Sequence, residues 1–221
     1  RTDTIVAPAT GQGGAIAVIR VSGEAAFEVT DRVFRSSRGR VADAEGYTIM
    51  YGHVMDGGDV LDDVLVSVFR APRSYTGENS VEISCHASGY IVGRMVALLI
   101  DAGARAATAG EFTQRAFVNG KMDLSQAEAV ADMIASASAA DHRIAMNQMR
   151  GGFSRDLAEL RAELLNITSL LELELDFSEE DVEFADRSVM RSLLQKIQNR
   201  ISTLAESFRL GNAIKNGVAV A

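Results

Sequence analysis

The chain has 221 residues, of which 47% are hydrophobic and 24% are charged, and its formal net charge is −8. This composition suits one large or two ordinary folded domains and argues against wholesale disorder. No apolar run approaches the ~20 residues that a membrane-spanning helix needs, and the first residues lack the apolar segment of a secretory signal. Because Cys85 is the single cysteine, no internal disulfide can form, and we expect a cytoplasmic protein.

The first ~120 residues show the mixed periodicities of a domain with strands and helices. Apolar residues three or four apart predict a helix over residues 90–102, with Gly103 as its stop. Residues 108–111 have the form of a capping box, which predicts a second helix from there to Gly120. Short β-branched runs predict strands at residues 4–7, 15–21, 64–69 and 81–85.

After Lys121 the periodicity becomes wholly helical. Residues 125–128 form a second capping-box pattern and predict a helix to about Ser136. A longer helical pattern begins at Asp141, and the pair Gly151–Gly152 is expected to kink it. Apolar residues then repeat at alternating spacings of four and three, the pattern of a heptad seam: Phe153, Leu157, Leu160, Leu164, Ile167 and Leu171.

A run of eight acids without a base, residues 172–186, separates this pattern from another one. We interpret the run as a solvated connection, because its spacing is not that of an EF-hand. Asp186 or Ser188 is expected to cap the next helix, which should end at residues 210–212. Two long helices joined in this way predict an antiparallel hairpin, and residues 217–221 predict the start of a strand. The second seam comprises Leu194, Ile197, Ile201, Leu204 and Phe208.

Two glycine-containing segments could hold a phosphate, but neither has a complete phosphate-binding motif. Residues 11–14 form a glycine-rich turn between two predicted strands; its backbone amides could bind an anion, but a tight hairpin is the simpler interpretation. Gly120–Lys121 is similar to the end of a P-loop, yet Arg115 stands at the first glycine position and Met122 at the position of the magnesium-binding hydroxyl. Residues 1–221 therefore contain no P-loop.

The residues that most often form metal and nucleophile sites are not clustered. None of the three histidines lies three or four residues from another, so we predict no metal site. Cys85 and His86 are adjacent on a predicted strand, whose successive side chains point to opposite faces. A Cys–His nucleophile pair is therefore disfavoured.

Three polar residues lie at predicted element ends, where proteins usually hold ligands. Arg20 ends an otherwise apolar strand, Glu78 lies in the turn-like segment 74–79, and Lys121 follows the C-terminus of a predicted helix. Position alone does not separate ligand contacts from ordinary surface charges, so both interpretations stay open at this point.

Several segments together resemble the MnmE (TrmE) family of GTPases, which modify uridine in tRNA. The resemblance is strongest over GEFTQRAFVNGKMDLSQAEA, residues 110–129. The chain departs from the family pattern at residues 86–89, where His-Ala-Ser-Gly stands in place of an expected His-Gly-Gly. The last matching residues resemble the first strand of the family's GTP-binding (G) domain, directly ahead of its P-loop. The matching segments are residues 3–7, 13–23, 74–79, 82–86, 110–129 and 216–221.

The resemblance implies an α+β domain over residues 1–118 that binds tetrahydrofolate and dimerises, similar to the folate domain of the glycine-cleavage aminomethyltransferase. An all-α domain with long antiparallel helices would occupy residues 119–211, and residues 212–221 would begin the G domain. Arg20, Glu78 and Lys121 fall on the family's folate-contacting positions. A carboxylate can accept hydrogen bonds from the pterin edge, and arginine or lysine suits the anionic glutamate tail.

The implied function is formation of the 5-carboxymethylaminomethyl group on wobble uridine, with the one-carbon unit supplied by 5-formyl- or 5,10-methylene-tetrahydrofolate. The implied partners are a second copy of the chain, the FAD-dependent MnmG (GidA) protein and, mainly through that complex, tRNA. The sites for GTP, Mg²⁺ and K⁺ belong to the family's G domain, so we expect no catalytic residue and no metal ligand in this chain. Two alternatives remain: a free-standing aminomethyltransferase-like folate enzyme, and a non-catalytic helical dimerisation scaffold.

Overall fold

A computed structural model of the chain describes residues 3–11, 13–176 and 187–216. The chain divides into two compact units, Arg1–Met122 and Asp123–Ala221. The first unit contains a sheet and three α-helices, and in the described residues the second unit contains helices alone. The predicted change from a mixed to a wholly helical chain after Lys121 is thus confirmed.

A seven-stranded mixed sheet is the framework of the first unit. The strands are β1 (Ile5–Pro8), β2 (Ile16–Ser22), β3 (Phe34–Arg35), β4 (Thr48–Asp56), β5 (Asp59–Phe69), β6 (Ser80–His86) and β7 (Arg105–Ala106). In space they follow the order β3-β4-β5-β6-β2-β1-β7, and every neighbouring pair is antiparallel except β1 and β7. The four predicted strands are confirmed, with β5 beginning before residue 64, whereas β3, β4 and β7 were not predicted.

One face of the sheet forms the core with helices α1 (Ala26–Val33) and α2 (Gly89–Asp101). Side chains alternate across β5, so that Val64, Val66 and Val68 are all buried. Each fully buried side chain of this size stabilises the fold by roughly 1.5–3 kcal/mol. The predicted helix at residues 90–102 is confirmed as α2. Its Met95 and Leu99 reach the core and are completely buried, as the three-to-four spacing required.

The first predicted capping box is only half formed. As predicted, the Glu111 carboxylate accepts a hydrogen bond from the backbone N–H of Thr108, at 2.8 Å. The Thr108 hydroxyl, which would accept from a backbone N–H in a complete capping box, instead donates to the same carboxylate, at 3.1 Å. Helix α3 (Glu111–Val118) consequently begins after Gly110 and ends two residues before the predicted stop.

The second unit begins with a capping box that lies earlier than predicted. Asp123, rather than Ser125, caps helix α4 (Leu124–Ala135), because its carboxylate accepts from the backbone N–H of Gln126 while the Gln126 side chain accepts from Asp123. Asp123 and Gln126 have the same three-residue spacing as Ser125 and Glu128, so the pattern alone did not separate them. Helix α5 (Ala139–Met149) is capped by Ser138.

The pair Gly151–Gly152 breaks the helical pattern rather than kinking it. Helix α5 ends at Met149 and α6 (Gly152–Asp176) follows, with Gly151 between them at φ 73°. A residue without Cβ adopts this left-handed conformation freely, which makes it a common helix terminator.

Helix α7 (Arg187–Asn216) is longer than predicted. Gly211, the predicted stop, lies inside the helix. One glycine costs a helix only about 1 kcal/mol relative to alanine, which is too little to end it. Ser188, the other predicted cap, is the second residue of α7. The predictions for Asp186, for most of the acidic run and for residues 217–221 lie outside the described residues.

A hairpin of two heptad seams would bury both along their length, but the described seam residues are only partly buried. The core between α6 and α7 consists of Leu160, Ile167 and Ile197, each about 5% exposed or less. One partner helix covers one side of an apolar stripe that is wider than a single contact line. The seam residues left 42–51% exposed are Phe153, Leu157, Leu164, Leu171, Leu194 and Ile201.

Candidate functional site

Arg20 lies on β2, directly opposite Glu82 of β6. Its Nε and Nη2 both donate to Glu82 Oε1, at 2.9 and 2.7 Å. Its guanidinium carbon also lies 4.8 Å from the centre of the Tyr75 ring and 5.4 Å from that of Phe112. The planar cation therefore lies over aromatic faces while its charge is paired. Arg20 does not end the strand as predicted, because β2 continues to Ser22.

Glu78 lies in the predicted loop segment 74–79, between β5 and β6. Its Oε2 accepts a hydrogen bond from the hydroxyl of Ser22, at 2.8 Å. Arg115 Nη1 lies 3.2 and 3.3 Å from its two carboxylate oxygens. Ser22 is two residues from Arg20 on the same strand, so both side chains lie on one face of the sheet. The loop and the strand thus hold Glu78 beside Arg20.

Glu78 is one end of a network of five charged side chains, called here the carboxylate network. Arg115 bonds Asp3 at 2.9 Å and Glu111 at 3.2 Å, and Arg105 bonds the same two acids at 2.7 and 2.6 Å. The hydrogen bond from Arg105 holds the pKa of Glu111 far below its usual range and, in the same way, lowers that of Asp3. Asp3 and Glu111 are therefore held in the ionised form, which fixes the positions of the two guanidinium groups.

Lys121 follows α3, as predicted, and lies against the same loop. Its Nζ donates to the carbonyl oxygen of Pro72, at 2.9 Å. Gly77 has φ 80°, and a Cβ there would lie 3.2 Å from Lys121 Cγ and from Asn119 Cβ. The Asn119 amide donates to the carbonyl of Thr76, at 2.7 Å. The end of α3 and loop 74–79 therefore pack closely, and a side chain at Gly77 would push them apart.

An open cavity of about 300 Å³ lies beside this loop. Lys121 and Tyr75 both line it, and the Tyr75 ring also contacts Arg20. The three predicted residues are thus arranged around one loop: Arg20 contacts it through Tyr75, Glu78 belongs to it, and Lys121 packs on it. The cavity is lined by Tyr47, Phe69, Arg73, Ser74, Tyr75 and Lys121.

Sequence reasoning missed three contributors to the site. Tyr75 and Phe112 face the Arg20 guanidinium, and Arg115 bonds Glu78. All three lie inside the segments on which the family resemblance rests. The available signal was therefore their position in those segments, because residue type and local spacing gave none.

The other candidate chemistries find little support in the described residues. Cys85 is 3% exposed whereas the side chain of His86 is 70% exposed, so the two do not form a nucleophile pair. Burial raises the pKa of the Cys85 thiol to about 11. His86 Nδ1 instead lies 2.7 Å from Asp62 Oδ1. Within the described ranges, no cluster of three or more histidine, cysteine, aspartate or glutamate side chains could hold a metal ion.

The described part of the glycine-rich turn agrees with the hairpin interpretation. Strands β1 and β2 pair antiparallel on either side of it. Next to the turn, the backbone N–H of Ala9 donates to the carbonyl of Val18, and the Val18 N–H donates to the Thr10 hydroxyl, at 2.7 and 3.0 Å. No helix in the described part of the chain has both the length and the apolar character needed to cross a membrane.

Comparison with known proteins assigns both units to one family. A family model described as the GTP-binding protein TrmE N-terminus matches residues 4–121, and one described as the MnmE helical domain matches residues 124–219. The chain belongs to the MnmE family. The two matches meet where the structure divides the chain, at Met122, and they confirm the predicted order of an N-terminal TrmE domain followed by a helical domain.

Curated members of the MnmE family are similar to this chain throughout. The tRNA modification GTPase MnmE of Bacteroides thetaiotaomicron is 61% identical over 99% of this chain and 48% of its own length. The proteins of the same name from Bacteroides fragilis and Flavobacterium psychrophilum are 59% and 57% identical, over the same shares. The chain therefore spans about half the length of the curated relatives it matches. Membership of the MnmE family disfavours the free-standing aminomethyltransferase alternative.

Proposed function

We propose that this chain is the folate-binding and dimerising part of a tRNA modification GTPase, which forms the 5-carboxymethylaminomethyl group on wobble uridine. The observation that carries the proposal is the match of both units to the MnmE family, whose curated members are named tRNA modification GTPases. Residues 1–221 contain no P-loop. GTP, Mg²⁺ and K⁺ would therefore bind in the half of the relatives' length that this chain does not span, and GTP titration of residues 1–221 should show no tight binding.

The folate would bind around loop 74–79, within the domain proposed for residues 1–118. The Tyr75 and Phe112 rings beside Arg20 offer flat apolar surface to a pterin ring. In the described part of the chain, Glu78 Oε1 accepts from Arg115 alone, at 3.2 Å, and so keeps capacity to accept a hydrogen bond from an amide-like N–H. Lys121 would meet the anionic tail. The ligand would be 5-formyl- or 5,10-methylene-tetrahydrofolate, which supplies a one-carbon unit when bound.

Calorimetry with 5-formyltetrahydrofolate tests this site. We expect Arg20→Ala and Glu78→Ala each to weaken binding by about 1.5–3 kcal/mol, because each removes a charge-assisted contact. Arg38→Ala is the matched control, since Arg38 is exposed and does not line the cavity. Unchanged affinity in both site variants would overturn the assignment, and failure of the parent chain to bind any reduced folate would favour the alternative of a non-catalytic scaffold.

Ion pairs between α6 and α7 support the antiparallel hairpin proposed for the helical unit. Lys196 bonds Glu163 at 2.6 Å while Arg200 bonds the earlier Glu159, also at 2.6 Å. The later residue of α7 thus pairs with the earlier residue of α6, as expected for antiparallel helices.

With a net charge of −8, the chain would meet tRNA mainly in a cytoplasmic complex with the FAD-dependent MnmG protein. Co-purification of tRNA with that complex but not with the chain alone would test this.

The homodimer would form through the first unit. Apolar side chains are exposed on the open face of the sheet: Ile49 and Tyr51 of β4 are 58% and 56% exposed, and Leu65, opposite Tyr51, is 47% exposed. Contiguous apolar surface of this kind is typical of interfaces. We expect Ile49→Glu to give a monomer in light scattering of the full chain, whereas Val118→Glu, a change outside this face, should not. A parent chain that is monomeric at high micromolar concentration would refute the proposal.

A further inference from the structure

A surface turn at the edge of the sheet concentrates positive charge in an otherwise acidic chain. Residues 32–42 contain four arginines and no acid, although the formal net charge of the chain is −8. Residues 35–40, called here the arginine turn, begin at the end of the edge strand β3 and lead to a short 3-10 helix. All three arginines of this turn are exposed: Arg35, Arg38 and Arg40. Such a local excess of one charge favours a partner of the opposite charge.

The charges of the arginine turn are mostly not neutralised within the described part of the chain. No described carboxylate lies within ion-pair distance of Arg35 or Arg38. Arg40 lies 3.5 Å from the carboxylate of Asp31, but its side chain is still 65% exposed. Helix α7 also carries cations, yet its Lys196 and Arg200 each bond an acid of α6 at 2.6 Å. The arginine turn is therefore better suited to bind an external anion.

Hydrogen bonds fix the backbone of this turn at both ends. At its start, the Ser36 hydroxyl donates to the carbonyl of Tyr51 at 2.6 Å and accepts from the N–H of Arg38 at 3.2 Å. Just beyond its end, the Asp31 carboxylate accepts from the backbone N–H groups of residues 41 and 42, at 2.7 and 3.1 Å. A turn held in this way presents its side chains from a fixed backbone, which lowers the entropy cost of binding.

We propose that the arginine turn contacts the sugar–phosphate backbone of tRNA. The inference rests on the tRNA-modification function proposed above and deepens it by assigning an RNA contact to this chain itself. A guanidinium group bonds two phosphate oxygens at once, which makes arginine well suited to this role. Three arginines on an exposed turn match a row of phosphates better than a single enclosed anion. Contacts of this kind position an RNA without reading its sequence, and two or three of them give only weak affinity.

Fluorescence anisotropy of a labelled tRNA, titrated with the full chain at low and rising salt, tests the turn. We expect weak binding that falls as salt rises, because each phosphate contact releases counterions. Arg38→Gln and Arg40→Gln should each weaken binding about threefold to fivefold at low salt and reduce the salt slope by about one. Arg38→Lys should keep most of the slope, because it keeps the charge. Arg161→Gln is the matched control: it removes the same charge from an exposed arginine of α6 and should bind like the parent chain.

The outcomes separate this inference from the folate function. Parent-like slopes in both glutamine variants of the turn, or an equal loss in Arg161→Gln, overturn it. Binding of poly-L-glutamate as tight as that of tRNA also overturns it and indicates an acidic protein as the partner. Calorimetry with 5-formyltetrahydrofolate is independent, because Arg38 and Arg40 do not line the cavity. Arginine-dependent tRNA binding without folate binding supports the turn and refutes the folate function, whereas folate binding without tRNA binding overturns this inference alone.

Discussion

The guanidinium of Arg115 lies 3.2 Å from the carboxylate of Glu78, which joins helix α3 to the loop that carries the proposed folate site. Arg115 is 9% exposed at its side chain, and its other partners are Asp3 at the start of the described chain and Glu111 one turn earlier in α3. The orientation of Glu78 therefore depends on a buried cation that is itself fixed by two further acids.

Removing this cation should strongly destabilise the first unit. We expect Arg115→Gln to lower the free energy of unfolding by about 3–5 kcal/mol, because it leaves the buried carboxylate of Glu111 and the part-buried one of Glu78 incompletely compensated. Arg94→Gln is the control: the Arg94–Asp56 pair has the same chemistry but is 40% and 25% exposed, so its loss should cost at most about 1 kcal/mol. Urea unfolding measures both, and equal losses would show that the carboxylate network is energetically ordinary.

Glu111 should make stability depend on pH in the acidic range. Its pKa in the folded chain lies well below the ordinary value of 4.5, chiefly because Arg105 donates to it. As the pH falls, unfolded chains bind the proton first, so the stabilisation is complete above about pH 5 and is lost progressively below it.

Replacing Glu111 should weaken this dependence. Between pH 5 and pH 3, Glu111→Gln should lose less stability than the parent chain by at least about 1.4 kcal/mol, the equivalent of one pKa unit. Urea unfolding at several pH values provides the test. Glu24→Gln, a change at an exposed carboxylate, should keep the parent slope, and a parent-like slope in Glu111→Gln would contradict the prediction.

Alanine substitution of two leucines of α6, four residues apart, should have very different effects on stability. Leu160 is 5% exposed in the α6–α7 core, whereas Leu164 is 46% exposed. Leu160→Ala should cost about 2–5 kcal/mol, through lost burial and a cavity, and Leu164→Ala less than about 1 kcal/mol. Native-state proteolysis within residues 153–208 would measure the opening free energy. Similar losses at both positions would mean that the whole heptad seam is covered in solution.

Cys85 should be inert to thiol reagents while the chain is folded. Burial raises its pKa to about 11 and it is 3% exposed, so at pH 8 the thiol is protonated and shielded, and the reactive thiolate is rare. Since it is the single cysteine, mass spectrometry after iodoacetamide treatment reports on it directly. Labelling should be at least about a hundredfold faster in 6 M guanidinium chloride than in buffer; equal rates would show that the strand opens readily.

Short β-branched runs predicted four of the seven strands. On β5 the run contains Val64, Val66 and Val68, which are all buried. On β4 the buried Met50 and Val54 alternate with the exposed Ile49 and Tyr51, and Gly52 interrupts the segment, so no β-branched run marks the strand. The two-residue strands β3 and β7 are too short to show a pattern.

Contacts between distant residues also escaped the sequence analysis of the proposed site. The family resemblance selected Arg20, Glu78 and Lys121, which the fold brings to one loop. Residue type and local spacing gave no sign of the role of Arg115, because its partners Asp3 and Glu78 are 112 and 37 residues away in sequence. Contacts of that range arise only from the topology of the sheet, and no local pattern records them.

The parallel pairing of β1 with β7 affects how the domain folds during synthesis. Ile5 lies beside Arg105 in the sheet, so the first of the described strands to leave the ribosome is also among the last to obtain both neighbours. At synthesis rates of about 5–20 residues per second, one edge of β1 stays unpaired for several seconds. During that interval the nascent chain carries an apolar strand edge, of the kind that chaperones shield. The pairing of β1 is therefore completed only after the end of its own domain has been synthesised.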